Sequence, residues 1–302
     1  MVALTMLSGC AVDAGSGTPL SPMATASATQ IPPVVATSVV ATSTNLPRRT
    51  AAATTTPSVT PRPTHTQTPL PPLVAIDAGH GGRDFGGRHF DADGHMDFSE
   101  KEANLAIVLK IAERVRAAGY RVLLIRDADY RINSEQRLDL NEDGEVDSAD
   151  EVLARVDLVN EAGADLLLSI HQNAYYGADA QDVGGTQTLY CAERPFSDDS
   201  YRFACLVHEK LLVAFSQMGY ETRDRGVMPD ANLEVPGAKG DYLILFGPLT
   251  ERISIPSKMP GVLSEALFVT NDVEAELLQR ADVQDALADA YAAAVAGYFQ
   301  GQ

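Results

Sequence analysis

Between Leu73 and Phe268, short runs that are apolar without interruption alternate with longer segments whose apolar residues recur at helical spacing. "LVAIDAG" (73–79), "RVLLIRD" (121–127), "ADLLLSIHQNA" (164–174), "GGTQTLYC" (184–191), "DYLILFG" (241–247) and "GVLSEALF" (261–268) read as strands. In "SEKEANLAIVLKIAERVRAAGY" (99–120), Leu105, Val108, Leu109, Ala112 and Val115 share one side, and Gly119 closes a helix. Further helices are expected over 149–163 and 199–219, and two over 272–299. A strand apolar on both sides must be covered on both sides, and intervening helices allow neighbouring strands to run parallel. The expected fold is therefore α/β: a single domain with a twisted, mostly parallel sheet of about six strands and helices on both faces. In such sheets ligands collect at the carboxyl ends of the strands.

The chain ahead of Leu73 is of another kind. Residues 11–72 are dominated by Thr, Ser, Pro and Ala and show neither period, so they are expected to form a disordered linker. Leu7-Ser8-Gly9-Cys10 resembles a bacterial lipobox, in which the cysteine carries the lipid. The apolar segment before it is short and lacks a basic residue. Either translation starts upstream of Met1 or the match is coincidental; a Thr/Ser/Pro spacer favours the lipobox. The expected division is a signal remnant over 1–10, the linker over 11–72 and a catalytic domain over 73–302. Attachment to a membrane through Cys10, outside the cytoplasm, is expected, with secretion as the alternative. No later stretch reaches the ~20 apolar residues of a membrane span. The formal net charge is −18, and only Asp13 of the 41 acidic residues precedes Leu73. Such a domain repels nucleic acid. Cys191 and Cys205 are the remaining cysteines, either disulfide-linked or two buried thiols.

His80 follows the first strand on a turn flanked by glycine, and His171 ends the third. Both fall on one sheet edge. Glu100 starts the first long helix, whose N-terminus faces that edge. Two imidazoles and a carboxylate are a common ligand set for catalytic zinc, with the fourth position open. Asn173, just past His171, is a candidate for hydrogen-bonding substrate but is read as a turn former.

The segments "VAIDAGHGGRDFGG", "EKEANLAI", "RVLLIRD", "LARVDLVNEAGADLLLSIHQNA", "RGV" and "SEALFVTN" resemble, in order, the landmarks of zinc-dependent N-acetylmuramoyl-L-alanine amidases. The resemblance runs from Leu73 to about Phe299. It implies that His80, Glu100 and His171 bind Zn2+ and that Glu265 is the catalytic general base. It implies that peptidoglycan is the substrate and that the amide between N-acetylmuramic acid and L-alanine is cut. Ser264 and Leu267 depart from the family's usual apolar residue and glycine. Two rivals are a zinc hydrolase of the same fold acting on another amide, and an inactive wall-binding relative.

"DLNEDGEVDSAD" (139–150) has the spacing of an EF-hand-type calcium loop. Asp139, Asn141, Asp143, Asp147 and Asp150 occupy the acceptor positions, Glu145 offers its carbonyl, and Gly144 stands at the sharp turn. A structural Ca2+ is expected there. "HFDADGHMDFSE" (89–100) fits the template loosely, but its last position is Glu100, assigned to zinc. The segment 228–260 is longer than the family usually has there.

Overall fold

The computed structural model describes residues 69–232, 234–235, 238–239 and 242–301; the lipobox at Cys10 and the linker up to residue 68 lie outside them. Strand β1 (Leu73–Ala78) leads into the hairpin β2 (Arg88–Phe90) and β3 (Met96–Ser99), then helix α1 (Glu100–Ala117) and β4 (Arg121–Leu124). Next come α2 (Ser148–Ala162), β5 (Leu166–Asn173), β6 (Thr186–Tyr190), α3 (Ser197–Gln217) and β7 (Asp224–Pro229). A two-strand ribbon, β8 (Glu234–Val235) and β9 (Ala238–Lys239), precedes β10 (Gly261–Phe268), α4 (Asp272–Gln279) and α5 (Ala281–Gln300).

The main sheet has six strands in the order β4-β1-β5-β10-β6-β7. The first four run parallel, β6 is antiparallel to β10, and β7 is parallel to β6. Helices α1, α3 and α5 cover one face, where Val74, Ile76, Leu168 and Val262 meet Ile107, Val207 and Val295. The other face, with Ala75, Leu167 and Leu263, is covered by Val156 and Val159 of α2 and by Leu245, Phe246 and Met259. Each large aliphatic group buried this way contributes roughly 1.5–3 kcal/mol. The mostly parallel α/β sandwich expected from the alternation is the fold observed.

Two strands differ from expectation. Of the run expected over 241–247, residues 242–247 do not form one: Phe246 and Gly247 donate back to the Leu243 carbonyl in a tight turn. The run is apolar because Ile244, Leu245 and Phe246 are buried, and periodicity alone does not separate a short buried strand from a buried turn. Arg194 holds this turn through the carbonyls of Phe246, Gly247 and Ser257. The sixth strand is instead β7, an edge strand reading Asp-Arg-Gly-Val-Met-Pro, which carries no apolar run. The two cysteines are free thiols, not a disulfide.

Asp230 also anchors this region. It is fully buried, accepts the Leu243 N–H at 3.2 Å, and leaves its Oδ1 unpartnered. Burial raises its pKa from 3.8 to about 6, against the pull of its hydrogen bonds. An acid raised in the folded state weakens folding as pH climbs, because the unfolded chain ionises first. The loss sets in above about pH 4, is complete above about pH 6, and amounts to at most about 3 kcal/mol. Asp230→Asn is therefore expected to melt higher than the parent at about pH 7.5, with the gap closing towards about pH 4. A gap independent of pH contradicts this account.

Candidate metal centre and active site

The turn after β1 is strained: His80 has φ +63°, and Gly81 and Gly82 also have positive φ. Such a conformation costs a β-carbon-bearing residue about 1–3 kcal/mol and persists only where the surroundings enforce it. Two buried arginines do so. Arg126 donates to the carbonyls of Ala78 (2.8 Å) and Gly79 (3.0 Å). Arg155, on α2, donates to those of Ala78 (3.0 Å) and His80 (2.7 Å) and to Asp77 (2.9 Å). Ser169 completes the cluster by donating to Asp77 at 2.8 Å.

Glu100 arrives from the other side. The capping box of Ser99 and Glu102 starts α1 there, and Glu100 is 2% exposed. Its Oε2 accepts the Gly87 N–H at 2.7 Å and lies 3.1 Å from His80 Nε2. Its Oε1 lies 2.9 Å from His171 Nδ1 and accepts the Gln172 N–H at 3.1 Å. The donor atoms of His80, Glu100 and His171 lie within 4.8 Å of one another. The three residues named for zinc are thus brought together from a turn, a helix start and a strand. The glycines make this approach possible. A β-carbon on Gly79 would strike the His171 ring, and one on Gly86 would strike Glu100 and His80.

The electrostatics fit a cation at this point. Burial lowers the His80 pKa, but the Glu100 carboxylate outweighs it and, with Asp84, raises it to about 10. Glu100 is itself held well below the usual carboxylate range: burial opposes this, while His80 and His171 bring it down. His80 Nε2 is buried and makes no well-formed hydrogen bond, although it faces a carboxylate oxygen. Its other nitrogen lies 3.0 Å from Asp84 Oδ2. A carboxylate on Nδ1 orients a histidine and leaves Nε2 for a metal. Asp84 escaped the sequence reading; its place four residues after His80 was the available signal.

Glu265 lies on β10, in register with His171 on β5 and with Gln187 on β6. It is fully buried, and neither carboxylate oxygen has a partner. Burial first, and then the Glu100 carboxylate, push its pKa well above the usual range, while His80 pulls the other way. Gln187 is a second residue the sequence reading missed: it is buried beside Glu265 with its Oε1 unpartnered. The unusual Ser264 is satisfied by the Tyr291 hydroxyl at 2.8 Å, and Leu267 is buried in the core. Asn173 is not the turn former expected: it is the last residue of β5, buried, accepts the Ala174 N–H at 2.9 Å and leaves its Nδ2 unpartnered.

The loop 139–150 is drawn together by its own side chains. Asp139 accepts from Asp143 N and Gly144 N, Asn141 from Asp143 N, and Asp143 from Glu145 N. Gly144 has φ +90° at the sharp turn. Asp147 caps α2, and Glu145 is exposed. Asp150 is fully buried and spends its oxygens on the N–H groups of Leu140, Asn141 and Asp147. Among the described residues, the groups of at least three His, Cys, Asp or Glu with converging donor atoms are His80–Glu100–His171 and the exposed Asp91–Asp93–His95. The latter group lies in the 89–100 stretch and does not include Glu100.

The chain is similar to several known proteins. The uncharacterised protein YqiI of Bacillus subtilis is 27% identical over 226 residues, covering 75% of this chain and 84% of that protein. The N-acetylmuramoyl-L-alanine amidase LytC of the same organism is 30% identical over 227 residues, covering 75% of this chain but 35% of its own length. Among solved structures, the CwlD amidase of Clostridioides difficile, in complex with the GerS lipoprotein, aligns with TM-score 0.57 and 25% identity. That alignment covers 76% of this chain and all of CwlD. The catalytic domain of CwlV from Bacillus (Paenibacillus) polymyxa shares the fold, with TM-score 0.54 and 24% identity over 76% of this chain and 99% of that domain. Residues 74–297 match the family described as Amidase_3, N-acetylmuramoyl-L-alanine amidase, and the chain belongs to that family.

Proposed function

We propose that the protein is a peptidoglycan hydrolase that cuts the amide between N-acetylmuramic acid and the L-alanine of the stem peptide. The observation that carries this reading is Glu265: a buried carboxyl without partners, in register beside His171 of a His/Glu/His group. His80, Glu100 and His171 would hold zinc. Zinc in such a site supplies Lewis acidity towards water and an amide carbonyl. Glu265 takes the proton from the attacking water and delivers it to the leaving nitrogen of alanine. A pKa raised by burial suits a group that must both accept and donate a proton. Asp84, Arg126 and Arg155 hold His80 in place. Purified sacculi test the reading: peptide release that stops with a chelator and returns with zinc supports it, and release indifferent to chelator contradicts it. Release of peptides cut at another amide would favour the rival hydrolase, and wall binding without release the inactive relative.

Two further parts of the proposal concern the domain's surroundings. A cell-wall substrate places the work outside the cytoplasm, and a lipid on Cys10 followed by the 11–72 linker would tether the 73–302 domain to a membrane. The loop 139–150 would take a structural calcium ion through Asp139, Asn141, Asp143, Asp147 and Asp150 and the carbonyl of Glu145. What supports this is the spacing, the sharp turn at Gly144, and the lack of any ion pair to Asp139 or Asp143 among the described residues. Calcium is expected to raise the melting temperature of the zinc-loaded protein; binding at a hundredfold excess over Kd adds about 2.7 kcal/mol. Asp143→Ala is expected to cancel the rise and leave zinc content intact. An equal shift in parent and variant, or none in either, reduces the loop to an acidic turn.

A further inference from the structure

We propose that a cavity beside the metal centre is a subsite for carboxylates of the stem peptide, a proposal that rests on the peptidoglycan reading above. The cavity encloses about 320 Å3 and is lined by Gly82, Arg83, Tyr130, Arg131, Arg137 and Asp147, among others. Its wall is continuous with the turn that carries His80. Gly82 donates to Asp129 at 2.7 Å, and Gly81 packs against the Tyr130 carbonyl so closely that a β-carbon would collide with it. Arg83 follows His80 by three positions.

The cavity's charge is what points to a ligand. In a chain of net charge −18, the cavity gathers three guanidinium groups. Arg131 is committed: it donates to the Asp147 carbonyl at 3.3 Å and lies 3.5 Å from Glu151. Arg83 and Arg137 are exposed and make no ion pair or side-chain hydrogen bond among the described residues. Several other arginines are engaged, Arg114 by Asp285 and Asp289, Arg155 by Asp77 and Glu151, Arg202 by Asp199 and Arg280 by Asp282, while ones unpaired among the described residues, such as Arg116, Arg121 and Arg223, do not line this cavity. Of the two acidic groups of the cavity wall, one is paired. Asp147 caps α2, and Glu151 accepts the N–H groups of Ile132 and Asn133 and faces Arg155. Three guanidinium groups thus face two carboxylates, one of them already paired with Arg155, and the balance is positive.

The substrate offers the complement. Beyond its L-alanine the stem continues through a glutamate linked by its side chain, which leaves the α-carboxylate free. That carboxylate sits one residue from the scissile amide, within ~7 Å along an extended chain. A guanidinium fork binds a carboxylate with two parallel hydrogen bonds, which makes arginine selective for this group over an amide. The cavity also falls within the roughly 300–1,000 Å3 of small-ligand sites. Arg83 and Arg137 would thus favour stems whose glutamate is unamidated.

Calorimetry on the full chain tests this with three probes: an L-Ala-γ-D-Glu-diamino acid tripeptide with its free α-carboxylate, the same peptide amidated there, and a glycerol-phosphate trimer as found in anionic wall polymers. The parent is expected to prefer the free acid. The double variant Arg83→Gln/Arg137→Gln is expected to lose at least about 10-fold in affinity for it and to bind the amidated peptide as the parent does. Lysine at both positions should restore part of the loss. Equal affinity of the parent for both peptides, equal loss for both in the variant, or no binding of the free acid at millimolar concentration overturns the proposal. Arginine-dependent binding of the phosphate trimer without peptide binding also overturns it, in favour of a phosphate site. Charge-dependent peptide binding by a protein that cuts no sacculi would defeat the amidase reading alone; cutting without arginine dependence would defeat the subsite alone.

Discussion

Glu265→Gln is expected to lower turnover by about 10²- to 10⁴-fold while leaving bound metal at the parental level. The substitution keeps size and shape, so the packing of β10 against β5 and β6 should persist. What disappears is the ability to accept a proton at a place where no other carboxylate is both buried and unpartnered among the described residues. Asp230 also has a bare buried oxygen, but its other oxygen is bound by Leu243 and it anchors the 242–260 segment. Turnover near the parental value would remove Glu265 from the chemistry and leave it a structural oddity of the sheet. Turnover lost together with metal would show that Glu265 supports the ligands instead.

His171→Ala is expected to abolish metal retention and cleavage together. His171 lies near the end of β5, which is flanked by β1 and β10, so its removal leaves the backbone scaffold standing. The local cost falls on Glu100, whose carboxylate is held low partly by His171 and would lose one of its two imidazoles. Zinc analysis of the purified variant, alongside its circular dichroism, separates loss of the site from loss of the fold. A folded variant with stoichiometric zinc and parental activity would mean that the site has been assigned to the wrong residues.

Much of this site was legible in the sequence because strands and helices of an α/β domain carry their ends to a common edge. His80 and His171 follow apolar runs, so the edge they share was readable from the runs alone, and Glu100 followed from its place at the start of the first long helix. Glu265 was not readable that way. It interrupts the apolar run "GVLSEALF" in mid-strand, and only the family resemblance gave it a role; the register beside His171 appears only in three dimensions. The partners of His80 were hidden for the same reason. Arg155 lies 75 positions from His80 and Arg126 lies 47 from Gly79, and nothing local marks which carbonyl an arginine will reach. The misread strand at 241–247 has a different origin. An apolar run reports burial, and burial against a sheet face is available to a turn as well as to a strand. β7 shows the converse: an edge strand needs few apolar residues, so its sequence gives little sign of it.

The central claim is the identity of the bond that is cut, and mass spectrometry of the soluble products from purified sacculi tests it most directly. The account predicts intact stem peptides with a free L-alanine amino terminus, together with glycan strands whose muramic acid lactyl groups end in free carboxylates. Both products should vanish in the Glu265→Gln variant. Peptides cut within the stem, or muropeptides still joined to muramic acid, would contradict the account.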